Sequence, residues 1–330
     1  MVRRPDMKIY LVGGAVRDAL LGRAVHERDW LVTGATVEQM LQLGYRQLDS
    51  DFPVFLHPQT GEEYALARRE RKQGQGYKGF VVETDSEISL EEDLQRRDLT
   101  INAMAMDQQQ QLIDPFNGQA DLAARRLCHV SDAFVEDPFR LVRTARFAAQ
   151  LGKYDFHITH ATFKLMKSMV SEAELQQIAA ERFLQEMDKA LNSDTPQAFF
   201  KVLGKCGALD HLIPSASVLM HGQQMQHGRD SEAMQLLQSA VNLKADVDER
   251  FAVLFGYLLL KHGYDVGVYL PLNKRRQQML KRLDEHASDL LSSTDQQVVL
   301  NALEQTGALR QQAQFQSLMT VLTILYPLQS

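Results

Sequence analysis

Two acidic residues separated by one position, Glu27 and Asp29, lead into the apolar run Trp30-Leu31-Val32. In an extended segment, residues two apart share a face, so the two carboxylates are presented together while Trp30 and Val32 face the other way. Hard oxygen donors so arranged suit two Mg2+ ions, which can clamp a nucleoside triphosphate and lower the barrier to in-line attack by a hydroxyl. Glu63, at the head of Glu63-Tyr64-Ala65-Leu66-Ala67, can add a third carboxylate from a later strand. Upstream, Leu11-Val12-Gly13-Gly14-Ala15-Val16-Arg17-Asp18 reads as a strand passing through two glycines into a helix. Such a turn aims backbone N–H groups at an anion, with Arg17 one turn further in to meet phosphate charge. Neither a Walker lysine pattern nor a full dinucleotide fingerprint accompanies it. A close-packed glycine turn and a charged strand edge are the ordinary structural alternatives.

These side chains need a sheet to hold them. Residues 1 to about 135 supply short β-rich runs between turn signals, at Lys8–Val12, Asp29–Val32, Val54–His57, Glu63–Ala67 and Leu112–Ile113. Helical pieces interleave: Ala15–Leu21 ending at Gly22, Thr36–Leu43 ending at Gly44, and Leu90–Ala105 with a period near 3.6. Gln108–Gln111 reads as a hairpin or loop tip, and Asp114-Pro115-Phe116-Asn117-Gly118 as a turn. From Asp132 onward the periodicity is helical, over Asp137–Leu151, Thr159–Met169, Ala180–Leu191, Pro196–Cys206, Ser231–Leu243 and Arg250–Lys261. A boundary is expected between the turn at 114–118 and Glu136. The Gly/Gln/His-rich stretch 221–228 is expected to be a loop, as is the segment holding Gly74, Gly76, Tyr77, Lys78 and Gly79.

Composition narrows the class. With 330 residues, 45% hydrophobic and 24% charged, the chain can bury substantial cores, and no apolar run approaches the roughly 20 residues of a membrane helix. The charged start over residues 1–6 lacks a signal-peptide pattern, and the two cysteines, Cys128 and Cys206, suggest neither a disulfide framework nor a zinc site. A cytoplasmic protein is expected. The net charge of −6 argues against a general nucleic-acid coat, yet arginines cluster at Arg68, Arg69, Arg71, Arg96, Arg97, Arg125, Arg126, Arg140, Arg143 and Arg146. A local basic surface can therefore sit on an acidic protein.

Four segments stand in an order that carries more information than any one of them. Gly13-Gly14-Ala15-Val16-Arg17-Asp18, the acidic pair before Trp30, Arg96-Arg97-Asp98-Leu99-Thr100-Ile101-Asn102-Ala103 and Glu136-Asp137-Pro138-Phe139-Arg140 together resemble the class II CCA-adding tRNA nucleotidyltransferases of the bacterial type. These belong to the DNA polymerase β-like superfamily, which also includes bacterial poly(A) polymerase. The resemblance implies an α+β chain: a mixed α/β nucleotidyltransferase head over 1–135, an all-α neck over 136–210 and a helical body and tail over 211–330. It further implies Mg2+ as cofactor, CTP and ATP as substrates, the tRNA 3′ end as acceptor, and neither a nucleic-acid template nor a membrane. No stable protein partner is expected.

By the same resemblance, Glu27 and Asp29 hold the metal, and Gly13, Gly14 and Arg17 hold the triphosphate; Glu63, read from its strand position, is the candidate third catalytic acid. Arg97 contacts phosphate or ribose, Asp98 is a structural acid, and Asn102 fastens helix to sheet. On a helix, Glu136, Arg140 and Arg143 would fall on one face, with Asp137 and Arg146 flanking it. An aspartate accepting from an exocyclic amine and an arginine donating to a ring nitrogen fit the edges of cytosine and adenine, and a mismatch costs roughly 1–3 kcal/mol per unsatisfied group. The resemblance makes Asp137 and Arg140 the edge readers, Glu136 the residue orienting the arginine, and Arg143 and Arg146 further nucleotide contacts. Glu181, Arg182 and Glu186 resemble a motif that braces the neck.

Two departures stand out. Glu27 occupies a position where the family usually has aspartate, which displaces one carboxylate by about a bond length, and Mg2+ tolerates distorted octahedra badly. Attenuated transfer is expected, with a tRNA-binding paralogue, a CC-only or A-only enzyme and a poly(A) polymerase as the alternatives. Longer relatives also carry a His-Asp phosphohydrolase pair after an Arg-Phe-Ala segment, whereas here Arg250-Phe251-Ala252-Val253-Leu254-Phe255 runs into Gly256-Tyr257. His211, His221, His227 and His262 do not restore ligand spacing, so phosphohydrolase activity is not expected.

Overall fold

A computed structural model describes residues 7–48, 53–72, 80–171, 175–176, 178–220 and 230–327. The loops expected at 74–79 and 221–228, and the charged start, lie outside the described residues, as do His221 and His227. The chain divides into two compact units, one of Met1–Thr144 with Asp155–Gln177, the other of Ala145–Tyr154 with Ile178–Ser330.

The first unit is built on a seven-stranded sheet of order β3-β4-β5-β2-β1-β8-β9. Its strands are β1 (Lys8–Val12), β2 (Asp29–Thr33), β3 (Arg46–Gln47), β4 (Val54–Leu56), β5 (Glu63–Leu66), β8 (Ala105–Met106) and β9 (Leu112–Ile113). Within this sheet, among the described residues, only β2 and β5 pair in parallel. Period-2 alternation splits the side chains into two layers. Tyr10, Val12 and Leu31 pack with Ile88, Leu94, Ala103 and Ala105 on one face. Val32, Phe55, Tyr64 and Leu66 pack with Met40 on the other, where Trp30 joins them. Asp29 alternates with Leu31, and Glu63 with Ala65, so both acids belong to the first face, as their spacing predicts.

Short helices connect these strands: α1 (Gly14–Leu20), α2 (Val37–Gln42), α3 (Leu90–Gln95) and α4 (Gly118–Ala123). Capping boxes fix the starts of two of them, Thr36 with Gln39 for α2 and Ser89 with Glu92 for α3. A separate hairpin joins β6 (Arg68–Lys72) to β7 (Phe80–Thr84). The tip at 108–111 turns about Asp107, whose carboxylate accepts from the Gln109 and Gln111 N–H groups at 2.9 and 2.8 Å.

The single helix expected over Leu90–Ala105 is corrected. It stops at Gln95, gives way to a 3-10 turn at Thr100–Asn102, and the chain enters β8 at Ala105. Asp98 turns its carboxylate back onto the Leu99 N–H at 2.8 Å, and the Thr100 N–H goes to the Cys128 carbonyl at 2.9 Å. Both bonds draw the backbone away from a helical ladder while leaving Leu94, Leu99 and Ile101 buried at helix-like spacing.

The turn at 114–118 is closed by Asp114, which accepts from the Gly118 and Gln119 N–H groups at 2.7 and 2.8 Å. A Cβ on Gly118 would stand 2.3 Å from the Thr100 carbonyl oxygen, a backbone atom with little freedom to yield. Gly118→Ala is expected to cost about 1–3 kcal/mol through overpacking. Urea unfolding checks this, and unchanged stability would show that α4 can draw back from the Thr100 turn.

After β10 (Arg126–Leu127) and a 3-10 turn at Asp132–Glu136, the helix α5 (Phe139–Leu151) begins. A two-residue strand, β11 (His157–Ile158), pairs with β10, so the part expected to be wholly helical contains one short strand before α6 (His160–Ser168). The second unit is otherwise helical, with Ala180–Leu191, Gln197–Cys206, Glu232–Asn242, Val247–His262, Lys274–Ser292, Gln296–Gln305 and Gln312–Leu325 as its longer elements. Phe183, Phe199, Phe200, Phe251 and Phe255 are among its buried side chains. Arg250, where longer relatives have their Arg-Phe-Ala segment, is buried and donates to the Ala245, Leu191 and Ser193 carbonyls at 2.7–2.8 Å. Among the described residues, no helix is long and apolar enough to cross a membrane.

Candidate active site

The acidic pair sits where β2 begins. Asp29 is the first residue of the strand, and Glu27 lies exposed in the segment just before it. Asp29 is in register with Val12 on one side and with Glu63 on the other. Since Val12 ends β1 and Gly13 follows it, the glycine turn emerges beside the acid. Burial pushes the Asp29 carboxyl above the ordinary carboxylate range; the nearby Arg97 guanidinium opposes this, and the Glu27 charge adds to it. Like-charge repulsion of this kind marks two carboxylates held close, a combination that a cation relieves.

Glycine is required in the turn on two counts. Gly13 has φ +70°, in the left-handed region, and a Cβ there would stand 3.0 Å from an Arg97 Nη1 atom. A Cβ on Gly14 would stand 3.4 Å from Arg17 Nη2. The turn is thereby flanked by two guanidinium groups. Arg17 is buried: its Nε and Nη2 donate to the two Asp18 oxygens at 3.0 and 3.1 Å, and its Nη1 donates to Asn102 Oδ1 at 2.7 Å.

Asn102 continues this network. Its Nδ2 donates to Asp98 Oδ1 at 3.1 Å, and Asp98 Oδ2 accepts from Arg143 Nε at 2.7 Å. Desolvation works to raise the Asp98 pKa, but the Arg143 charge and the bonds from Asn102, Arg143 and the Leu99 N–H outweigh it and hold the carboxyl well below the usual range. A depressed carboxylate contributes stability above its unfolded pKa of about 3.9 and loses it as pH falls toward the folded value. Asp98→Asn is therefore expected to cost about 2–3 kcal/mol at pH 7, a deficit that narrows below about pH 4. Urea midpoints across that range check it; a deficit that widens on acidification would contradict the assignment.

The segment expected to select the nucleotide differs from its expected geometry. Glu136 ends the 3-10 turn, Asp137 is extended, and α5 starts only at Phe139. The expected helical face of Glu136, Arg140 and Arg143 is therefore corrected: only the two arginines lie on the helix. Pro138 opens the helix, and its ring disfavours helical backbone at the residue before it. Asp137 instead accepts from the Phe139 N–H at 3.0 Å. Arg140 is buried and donates through Nη1 to the Ala133 carbonyl at 2.7 Å and through Nη2 to the Arg96 carbonyl. Arg146 falls in the second unit, where its Nε bonds Glu186 and its guanidinium lies 3.7 Å from the centre of the Phe147 ring.

The structure thus brings Gly13, Gly14, Arg17, Glu27, Asp29, Glu63 and Arg97 around the ends of β1, β2 and β5, and ties Arg143 to them through Asp98 and Asn102. Among the described residues, no three His, Cys, Asp or Glu side chains form a ready metal-binding group. The donors present, one pair of carboxylates, suit Mg2+, which is commonly held by one or two carboxylates and completed by substrate phosphates.

The motif reading passes over one buried acid. Asp93 on α3 accepts from Arg96 Nε and Nη2 at 3.2 and 2.7 Å, from the Arg68 N–H at 3.4 Å and from Arg97 Nη2 at 3.3 Å. Its signal is legible in the chain, as an acid three and four residues before two arginines on a helical segment.

Comparison with known proteins places this geometry. The Poly A polymerase head domain matches residues 9–128, and a probable RNA- and SrmB-binding site of polymerase A matches residues 155–220. A multifunctional CCA protein of Neisseria meningitidis serogroup A is 43% identical over 343 aligned positions, covering 96% of this chain and 81% of the relative. The chain belongs to the CCA-adding enzyme family. A second family member, from Thioalkalivibrio sulfidiphilus, is 53% identical over 253 residues, and the matched stretch spans only 62% of its length. Among solved structures, a Thermotoga maritima CCA-adding enzyme complexed with tRNA aligns over 97% of this chain with a TM-score of 0.67 and 23% identity. A Bacillus stearothermophilus CCA-adding enzyme in complex with CTP aligns with a TM-score of 0.68 and 24% identity. These likenesses establish the α+β fold of the CCA-adding enzymes for this chain.

Proposed function

We propose that this CCA-adding family member transfers CMP and AMP from CTP and ATP to the 3′ end of tRNA, without a nucleic-acid template, in the cytoplasm. The observation that carries the reading is the Glu27–Asp29 pair beside the Gly13-Gly14 turn and Arg97, at the end of one sheet face. The proposal assigns the following roles. Glu27 and Asp29 would hold Mg2+, with Glu63 in register with Asp29; the ion would supply charge neutralisation for the triphosphate and activation of the attacking hydroxyl. The glycine turn, with Arg17 and Arg97, orients the triphosphate so that the tRNA 3′-hydroxyl meets the α-phosphorus in line and pyrophosphate departs. Asp137 and Arg140 read the base edge, Glu136 orients the arginine, and Arg143 lies beside them. Residues 1–135 act as the catalytic head, 136–210 as the neck and 211–330 as the tRNA-gripping body.

The test is an extension assay on tRNA lacking the terminal CCA, ending in CC, and complete, with each nucleotide offered singly and CTP with ATP together. Growth by C, C and A followed by arrest supports the proposal. Retention of tRNA without extension would support a binding protein, arrest after CC or after A alone would support a partial enzyme, and unlimited adenylate tails would support a poly(A) polymerase.

Glu27→Asp moves one carboxylate by about a bond length toward the usual spacing of the family. It is expected to raise kcat several-fold, equivalent to about 1 kcal/mol in the barrier. Steady-state CMP incorporation checks this, and an unchanged kcat would show that glutamate supports the chemistry equally well.

A further inference from the structure

The buried acid Asp93 is fully enclosed, with none of its surface exposed. Burial works to raise its pKa, and the charges of Arg96, Arg97 and Arg68 overcome that and keep it ionised. An acid so placed either braces its own helix or holds a partner for use elsewhere. Its Oδ1 serves α3 and its surroundings, through Arg96 and the Arg68 N–H. Its Oδ2 does something different: it accepts from Arg97 Nη2 at 3.3 Å, while Arg97 Nη1 donates to the Asn102 carbonyl at 3.3 Å.

These two contacts fix the plane of the Arg97 guanidinium at the glycine turn. There Nη1 occupies the space that a Cβ on Gly13 would contest at 3.0 Å, and the positive charge acts on Asp29. Arg97 Nε, by contrast, is buried with no hydrogen-bond partner. A buried N–H left unpaired is costly. It is tolerated most readily where a ligand completes it.

We propose that Asp93 is a positioning residue for triphosphate binding, which acts by holding the Arg97 guanidinium against the Gly13-Gly14 turn. The inference deepens the proposed function and rests on the triphosphate occupying that turn. It assigns Asp93 no contact with substrate. A side chain that merely braced α3 would lower stability without a specific effect on nucleotide affinity, whereas one that aims Arg97 loses its effect once Arg97 is gone.

The experiment is a double-mutant cycle of Asp93→Asn and Arg97→Gln in the full chain, read as Kd for CTP with Mg2+ and, separately, as Kd for tRNA. Circular dichroism verifies that each variant is folded. Asp93→Asn is expected to weaken CTP binding about tenfold, as for loss of a hydrogen bond to a charged group, and to leave tRNA affinity unchanged. In the Arg97→Gln background it should add no further loss. Additive losses of CTP affinity, unchanged CTP affinity, or an equal loss for tRNA would overturn the proposal. If Asp93→Asn does not fold, Asp93→Glu enters the same cycle under the same criterion, since it keeps the charge and displaces it by one methylene. A parent protein that binds CTP but does not extend tRNA would refute the transfer reaction and leave this inference to be decided by the cycle. Extension by the parent combined with an additive cycle would refute only the inference.

Discussion

Asp29→Asn is expected to reduce nucleotide incorporation by about a thousand-fold or more, equivalent to about 4 kcal/mol in the barrier. The substitution is close to isosteric at the first residue of β2, so the fold should tolerate it. What is lost is a negative oxygen ligand beside Glu27, in register with the end of β1 and the glycine turn. An amide cannot replace it if, as proposed, the site draws in a divalent cation together with a triphosphate. Single-turnover incorporation of CMP, with tRNA binding measured alongside, checks the expectation. Retained tRNA binding with lost transfer is the predicted pattern. Activity within tenfold of the parent would mean that the metal is held elsewhere and that the acidic pair is an ordinary charged strand end.

The second large effect concerns stability. Glu186→Ala is expected to destabilise the second unit by about 3–5 kcal/mol, because it leaves a buried guanidinium without its counter-charge. The Arg146 and Glu186 side chains retain only 8% and 4% of their exposure, so solvent does little to compensate the loss. Gln150 and the Phe147 ring remain as partners of Arg146, which places the cost nearer the lower end of that range. Glu186→Gln, which keeps a hydrogen-bond acceptor, should cost distinctly less. Urea unfolding followed by near-ultraviolet circular dichroism measures both. A loss below about 1 kcal/mol for the alanine variant would show that Arg146 is solvated or readily rearranged, and would strengthen its assignment as a nucleotide contact.

Local chemistry made several parts of the fold legible. Lys8–Val12, Leu112–Ile113 and Ala180–Leu191 have the bounds expected of them, and β2 and β5 differ from theirs by one residue. Alternation along β2 also placed Asp29 and Trp30 on opposite faces. Helix ends signalled by side chains were readable for the same reason: Thr36 and Thr159 cap the helices expected to begin there. The misreadings share a cause. Residues 96–104 carry apolar side chains at helix-like intervals, but the Leu99 N–H goes to the Asp98 side chain and the Thr100 N–H to the Cys128 carbonyl. The charge periodicity predicts a helix from Asp137, but α5 starts at Phe139 because Pro138 disfavours helical backbone at the residue before it.

By itself, the sequence determined which residues could do chemistry and the local elements that present them: an acidic pair on one strand face, a glycine turn into a helix, and arginines near both. Spacing along the chain is enough for that, since period 2, glycine's left-handed φ and side-chain caps act over a few residues. The partners of the arginines were settled only in three dimensions. Arg17 meets Asn102 across 85 positions and Arg143 meets Asp98 across 45. Arg146 pairs with Glu186 and Arg97 with the buried Asp93. A guanidinium takes whichever acceptors the folded chain brings within about 3 Å, and burial then makes that choice costly to reverse.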